Sequence, residues 1–142
     1  EKEVLKNCGT VLRISNVYGE GMYKKNIFND IYNQFLAKKY KVKVYNSLTV
    51  RDFIHIDDVC RAIIKVSDNP KYGVYNISTG IGTSIQELFN FMEIIYADHE
   101  YELKSTIQKE SNLILDPENT KCIFDWSYSI SIENGLKGLF TN

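Results

Sequence analysis

A chain of 142 residues, 44% hydrophobic and 25% charged, has the make-up of one globular domain or a piece of a larger one, which excludes a disordered chain. Seventeen basic against eighteen acidic residues give a formal net charge of −1, which argues against bulk electrostatic attraction to nucleic acid or to an anionic membrane. No run of about 18 apolar residues occurs, so a membrane-spanning helix is excluded.

Three cysteines, Cys8, Cys60 and Cys122, are odd in number and far apart, so neither a disulfide framework nor a zinc knuckle is expected. His55 and His99 form no metal-ligand spacing, and no metal site is expected. Unpaired thiols fit a cytoplasmic protein. The opening Glu1-Lys2-Glu3-Val4 has neither an initiator methionine nor a secretory signal, and the chain is expected to begin within something longer.

In chain order, residues 1–7 read as the end of a helix stopped by Gly9. Thr10 to Ser15 is a β-prone run, followed at Asn16-Val17-Tyr18-Gly19-Glu20-Gly21 by a turn or open loop. Ile27, Phe28, Ile31, Phe35 and Leu36 recur at helical spacing and predict a helix over 26–39. The alternation in Lys41 to Tyr45 predicts a half-exposed strand, and Asp52 to Ile56 a second one. Asp57 or Asp58 can then cap a helix whose buried stripe is Val59, Ala62, Ile63 and Val66. Residues 73–78 form another strand candidate, with a loop over 79–82. Ser84 and Glu87 stand at capping-box spacing before a helix that turns Ile85, Leu88, Phe89, Met92 and Ile95 inward. Tyr101 to Ile107 suggests a further strand, and two short helices are expected after Pro117, the last using Ile132, Leu136 and Phe140. The mixture of strands and helices indicates an α/β fold.

Glycine-rich phosphate loops, a Gly-x-Ser-x-Gly elbow and His-Glu-x-x-His are all missing from the sequence. The informative feature is an ordered set of segments. Leu12-Arg13-Ile14-Ser15-Asn16-Val17-Tyr18-Gly19 comes first, then Val42-Lys43-Val44-Tyr45, then Arg51-Asp52-Phe53-Ile54-His55-Ile56-Asp57-Asp58-Val59. Val74 to Gly80, Thr83 to Leu88 and Phe124-Asp125-Trp126 follow. In this order the set resembles the C-terminal half of the extended short-chain dehydrogenase/reductases, the nucleotide-sugar epimerases and dehydratases, over nearly the whole chain.

The resemblance implies the C-terminal fragment of a Rossmann-type protein. It would consist of one late strand of the parallel sheet plus a small α/β substrate domain. Residues 1–24 would close the dinucleotide-binding domain, and residues 25–142 would form the substrate-binding region, with some elements returning to the main sheet. It further implies NAD or NADP as cofactor, held mainly by an N-terminal Rossmann half that this chain lacks, and a homodimer at full length. The glycine-rich loop and the Tyr-x-x-x-Lys pair of the family do not occur here, so no catalytic residue is expected in this chain.

By the same resemblance Arg51 matches an arginine that binds the pyrophosphate of a nucleoside diphosphate-sugar, as a guanidinium fork suits two adjacent phosphates. Taken alone, Arg51 would read as a surface arginine paired with Asp52 or Asp57. Asn16 matches a contact to the sugar or its phosphates, against a turn asparagine satisfying its own backbone. Tyr45 matches an aromatic near the nucleotide base, against a core aromatic. Ile14 and Ser15 match positions near the nicotinamide, mostly through backbone. His55 reads as a packed, hydrogen-bonded histidine, and Trp126 as the residue that packs the tail.

Departures from the pattern fall around the substrate. Asn46 to Val50 is short and lacks glycine, the segment from Gly19 to Ile27 is short, Asp125 stands where a glycine is usual, and the nearest basic residue to an expected second arginine is Lys109. The leading expectation is the substrate-positioning part of an NAD(P)-dependent nucleotide-sugar epimerase or dehydratase, acting by transient oxidation and hydride return. The alternative is a non-catalytic nucleotide-binding or interaction homologue that kept the fold. The run at 10–15 is expected to expose an edge and apolar surface, and so to promote self-association.

Overall fold

The structure is a computed structural model that describes residues 1–44, 46–96, 101–105 and 111–141. Helix α1 (Lys2–Lys6) leads into β1 (Thr10–Ile14), and β2 (Asn16–Tyr18) follows after a single residue. That residue is where the chain changes partner. Ser15 N–H donates to Ile77 O as the last rung between β1 and β5 (Gly73–Ile77), which run parallel from Thr10↔Gly73 to Ile14↔Ile77. Asn16 then opens a parallel ladder with β4 (Val50–His55), Asn16↔Phe53 to Tyr18↔His55. Residues 16–18, expected to be turn or loop, are therefore strand. No residue of β1 is buried, Ile14 is 40% exposed, and among the described residues β1 pairs with β5 alone.

Strand β4 is the hub of the second sheet. Its first half pairs antiparallel with β6 (Gly82–Ser84) and parallel with β8 (Asn112–Leu113), and its second half pairs with β2. A third, two-stranded parallel sheet joins β3 (Lys41–Val44) to β7 (Glu102–Ser105). Residues 106 and 107 of the expected strand lie outside the described residues, as does His99.

Helix α2 (Ile27–Leu36) starts where Asn26 Oδ1 accepts the Asn29 N–H at 2.7 Å and ends before Lys38, whose φ of 50° cannot continue a helix. Helix α3 (Ile56–Asp68) departs from expectation at its cap. His55 Nδ1 accepts the Asp57 N–H at 3.2 Å, so neither aspartate is the N-cap. Its buried stripe begins one residue early, at Asp58, and runs through Val59, Ala62 and Val66, which leaves Ile63 43% exposed. Helix α4 (Ile85–Ile95) carries the full capping box, with Ser84 and Glu87 each accepting the other's backbone N–H. Helices α5 (Glu118–Phe124) and α6 (Ile132–Thr141) complete the chain.

Two apolar cores result. The first gathers Tyr18, Phe28, Ile31, Phe35, Val42, Leu88, Met92 and Leu136 between α2, α4 and α6. The second sets Ile54, Val59, Ala62, Tyr75 and Ile77 against Phe124 and Trp126, so Trp126 does pack the tail. Between Trp126 and α6 the chain is pinned by the fully buried Asp58. Its carboxylate accepts bonds from Ser129 N–H, Ser129 O–H and Ile130 N–H at 3.0–3.2 Å and from the Arg61 guanidinium. Asp58 is therefore a strut, and not the cap of α3. No helix among the described residues is long and apolar enough to cross a membrane.

Candidate functional site

The partner change at Ser15 places polar side chains at the C-terminal end of a parallel strand, where open α/β sheets form ligand crevices. Ser15 and Asn16 line a cleft of 290 Å³ together with Asn26, Ile27 and Phe28 from the head of α2 and Phe53 from β4. Asn26 was not singled out in the sequence, although an Asn one residue before an amphipathic run is an N-cap signal. Its Oδ1 is spent on the cap and one Nδ2 proton on Val17 O at 3.4 Å, which leaves a second amide proton. The N–H groups of Ile27 and Phe28, in the first turn, have no intrahelical acceptor. This wall of the cleft is rich in donors.

Ser15 and Asn16 both bond to Asp52, which has no exposed surface. One carboxylate oxygen accepts Thr79 N–H at 3.0 Å, Thr79 O–H at 2.8 Å and Ser15 O–H at 3.2 Å, and the other accepts Gly80 N–H at 3.0 Å. Its backbone carbonyl accepts Asn16 Nδ2 at 3.3 Å. Asp52 thus ties the Ser15–Asn16 corner to the loop after β5. Sequence reasoning weighed Asp52 only as an ion-pair partner for Arg51. Its burial follows from β6 on one side and the β1–β2 corner on the other, which no local pattern encodes.

Arg51 stands two residues before Phe53 in β4, and so on the same face of the sheet as Phe53 and its register partner Asn16. It pairs with neither Asp52 nor Asp57. Its guanidinium instead donates to Val50 O at 2.8 Å, to Ser111 O at 2.6 Å and to Ser111 Oγ at 3.3 Å. Arg51 is half-buried and does not line the Ser15–Asn16 cleft, so the structure brings Ser15 and Asn16 together and sets Arg51 beside them along β4. Ile14 ends β1 half-exposed. Tyr45 and Lys109 lie outside the described residues. Val44, just before Tyr45, lines an open cleft of 550 Å³ with Lys39, Lys43 and Lys104.

His55 is structural, as expected. Besides capping α3 it packs edge-on against Tyr18 at 5.2 Å. Tyr18 is fully buried, stacks on Phe28 at 4.6 Å and donates to Ser131 O at 3.2 Å. Burial pushes its phenol well above the ordinary value, and the charges of Asp58 and Glu133 add to the effect. Among the described residues no cluster of His, Cys, Asp or Glu is placed to hold a metal ion.

The CDP-abequose synthase of Salmonella muenchen is 29% identical over 145 residues, covering 94% of this chain and 47% of that protein. The GDP-6-deoxy-D-talose 4-dehydrogenase of Aggregatibacter actinomycetemcomitans is 33% identical over 99 residues, 67% of this chain and 32% of that protein. The chain spans about half the length of the first curated relatives it matches, 46% and 47%. The crystal structure of UDP-glucose 4-epimerase from Thermotoga maritima with UDP-glucose superposes with a TM-score of 0.79 at 30% identity, over 90% of this chain and 43% of that one. The dTDP-glucose 4,6-dehydratase of Bacillus anthracis in complex with NAD gives 0.81 at 26% identity, over 90% and 42%. These likenesses agree with the mixed α/β fold and parallel strands read from the sequence. A model of the NAD dependent epimerase/dehydratase family matches residues 4–78, more than half of the chain, and the chain belongs to that family.

Proposed function

We propose that this chain is the substrate-binding portion of an NAD(P)-dependent enzyme that modifies a nucleoside diphosphate-sugar. In this reading residues 1–24 close the dinucleotide-binding domain and residues 25–142 form the substrate side, with β5 returning to the sheet of β1. The observation that carries the reading is the cleft at the β1–β2 corner, where Asn16, Asn26 and the head of α2 offer neutral donors to an anionic ligand. Arg51, on the same face of β4, supplies the positive charge that a diphosphate needs. Tyr45 would flank the nucleotide base. The contribution to rate is positioning: the sugar is held over the reactive ring in one orientation.

The residues fit a dinucleotide cofactor only at its edge. Ile14 and Ser15 lie at the end of β1, where the nicotinamide would approach, but no glycine-rich loop is present to cradle a pyrophosphate. When bound, such a cofactor supplies the hydride acceptor and donor. This chain's own residues bind and orient the sugar nucleotide beside it.

A second reading, a nucleotide-binding homologue without activity, draws support from the Arg51 guanidinium being bonded to backbone carbonyls of Val50 and Ser111. Calorimetric titration of the full-length protein with UDP and dTDP tests the site. Saturable binding supports it, and an absence of heat with both nucleotides overturns it. Turnover of a nucleotide-sugar separates the enzyme from the inactive homologue.

A further inference from the structure

Arg51 is bonded in a way that holds it without exhausting it. A guanidinium has five N–H donors in one plane, two on each terminal nitrogen and one on Nε. Nη1 donates to Val50 O at 2.8 Å and to Ser111 O at 2.6 Å, and Nη2 donates to Ser111 Oγ at 3.3 Å. Three donors are therefore engaged. The Nε–H and the second Nη2–H have no acceptor among the described residues. Both Ser111 oxygens meet the edge between Nη1 and Nη2, so the two remaining protons lie on the other edge, from Nε to Nη2. Two parallel N–H bonds on one edge are the fork with which arginine grips a pair of phosphate oxygens.

The Ser111 carbonyl is itself fixed. It accepts Val50 N–H at 3.2 Å where β8 runs beside β4, and Arg51 stands opposite Leu113 in that ladder. Residues 111–114 are all exposed, so β8 adds nothing to either core. What this segment brings to β4 is a set of acceptors beside Arg51. The two carbonyls pin Nη1 alone, and a planar group pinned at one nitrogen can still pivot about it. The bond from Nη2 to the Ser111 hydroxyl removes that freedom.

We infer that Ser111 is a positioning residue, whose hydroxyl sets the plane of the Arg51 guanidinium and so presents the Nε–Nη2 edge as a preformed fork for a phosphate. The inference rests on the proposed reading of Arg51 as the diphosphate ligand. It adds what holds that side chain ready. A long side chain that is already ordered loses less freedom when the ligand binds, and the saving appears as affinity.

In the full-length protein Ser111→Ala removes the acceptor at Nη2 and leaves both carbonyls. Its affinity for UDP, measured by calorimetry, is expected to fall about three- to tenfold. Ser111→Thr keeps the hydroxyl and is expected to recover the loss. The double variant separates positioning from direct contact. If Ser111 acts through Arg51, then Arg51→Ala and Arg51→Ala/Ser111→Ala bind UDP equally, because no guanidinium is left to orient. A further loss in the double variant overturns the inference, since Ser111 would then touch the ligand or serve the fold. Wild-type affinity in Ser111→Ala, beside weakened binding in Arg51→Ala, overturns it while the reading of Arg51 stands. If Arg51→Ala binds UDP as tightly as wild type, or wild type binds none, the reading of Arg51 fails and the inference falls with it.

Discussion

Tyr18 and Gly135 are in direct contact across the first core, with the phenol ring of β2 lying where a side chain on α6 would begin. A methyl group at Gly135 would stand 2.7 Å from Tyr18 Cε2 and closer still to its hydroxyl. The ring cannot retreat, because it is stacked on Phe28 and wedged by His55. Gly135→Ala is therefore expected to destabilise the protein by about 1–3 kcal/mol, although alanine is the better helix former. Urea melts of the two proteins measure it, and a more stable variant would refute the close packing.

The helix-ending residue Asp125 gives a prediction of the opposite sign. It sits at φ 46°, in the left-handed region that glycine adopts without strain. Its carboxylate makes an exposed ion pair with Lys65 at 3.6 Å, a contact of small worth, and the Lys65 ammonium also donates to the Asp125 backbone carbonyl, a bond that any residue at 125 would keep. Asp125→Gly is expected to raise stability by about 0.5–1 kcal/mol, and Asp125→Val to lower it by more than that. The same denaturant series, with both variants beside wild type, checks the order.

Asp58 links stability to pH. Burial works to raise its pKa, but the bonds from Arg61, from the Ile130 and Ser129 N–H groups and from the Ser129 hydroxyl outweigh it and hold the carboxyl below its ordinary 3.8. A carboxyl lowered in the folded state contributes stability that is complete above the ordinary value and disappears as pH falls through the lower, folded-state one. Asp58→Asn should therefore cost about 2–4 kcal/mol at pH 7, and the gap to wild type should narrow at pH 3. Equal gaps at both pH values would show that the charge is not what holds the tail.

Arg51 is the variant that bears on function. If its guanidinium meets the diphosphate, Arg51→Ala weakens UDP binding to the full-length protein by about 2 kcal/mol or more, roughly thirtyfold. Arg51→Lys restores only part of the loss, because an ammonium is a point charge and not a fork. An unaltered dissociation constant for the alanine variant contradicts the assignment.

What the sequence revealed and what it hid divide along the range of the interactions. The Ser84–Glu87 box lies within one helical turn, so three-residue spacing was enough to find it. The inward faces of α2 and α4 follow from their own periodicity, save Leu36 at the end of α2, which is 44% exposed. Ile63 was misplaced because which flank of α3 meets β2 and β4 is decided by those strands and not by the helix. Strand β2 was read as loop because its partner, Phe53 to His55, lies 37 residues away and three residues carry no pattern of their own. Asp52 and Asp58 resembled ordinary acids beside a helix start, since burial of a carboxylate depends on which distant N–H groups converge on it. At the candidate site, Asn16 and Arg51 were singled out through family likeness alone, while the bond between Ser15 and Asp52 joins residues 37 apart and left no local signal.

The two cores close at different moments in the life of the chain. Every buried member of the second, from Ile54 to Trp126, is present once residue 126 has left the ribosomal tunnel. The first still lacks Leu136, whose side chain is completely enclosed among Tyr18, Phe28 and their neighbours. Vectorial synthesis therefore delivers a half-assembled molecule, one nucleus sealed and the other gaping. A pause in synthesis between the emergence of residue 126 and that of Leu136 would prolong the interval in which that greasy interior is open to chaperones.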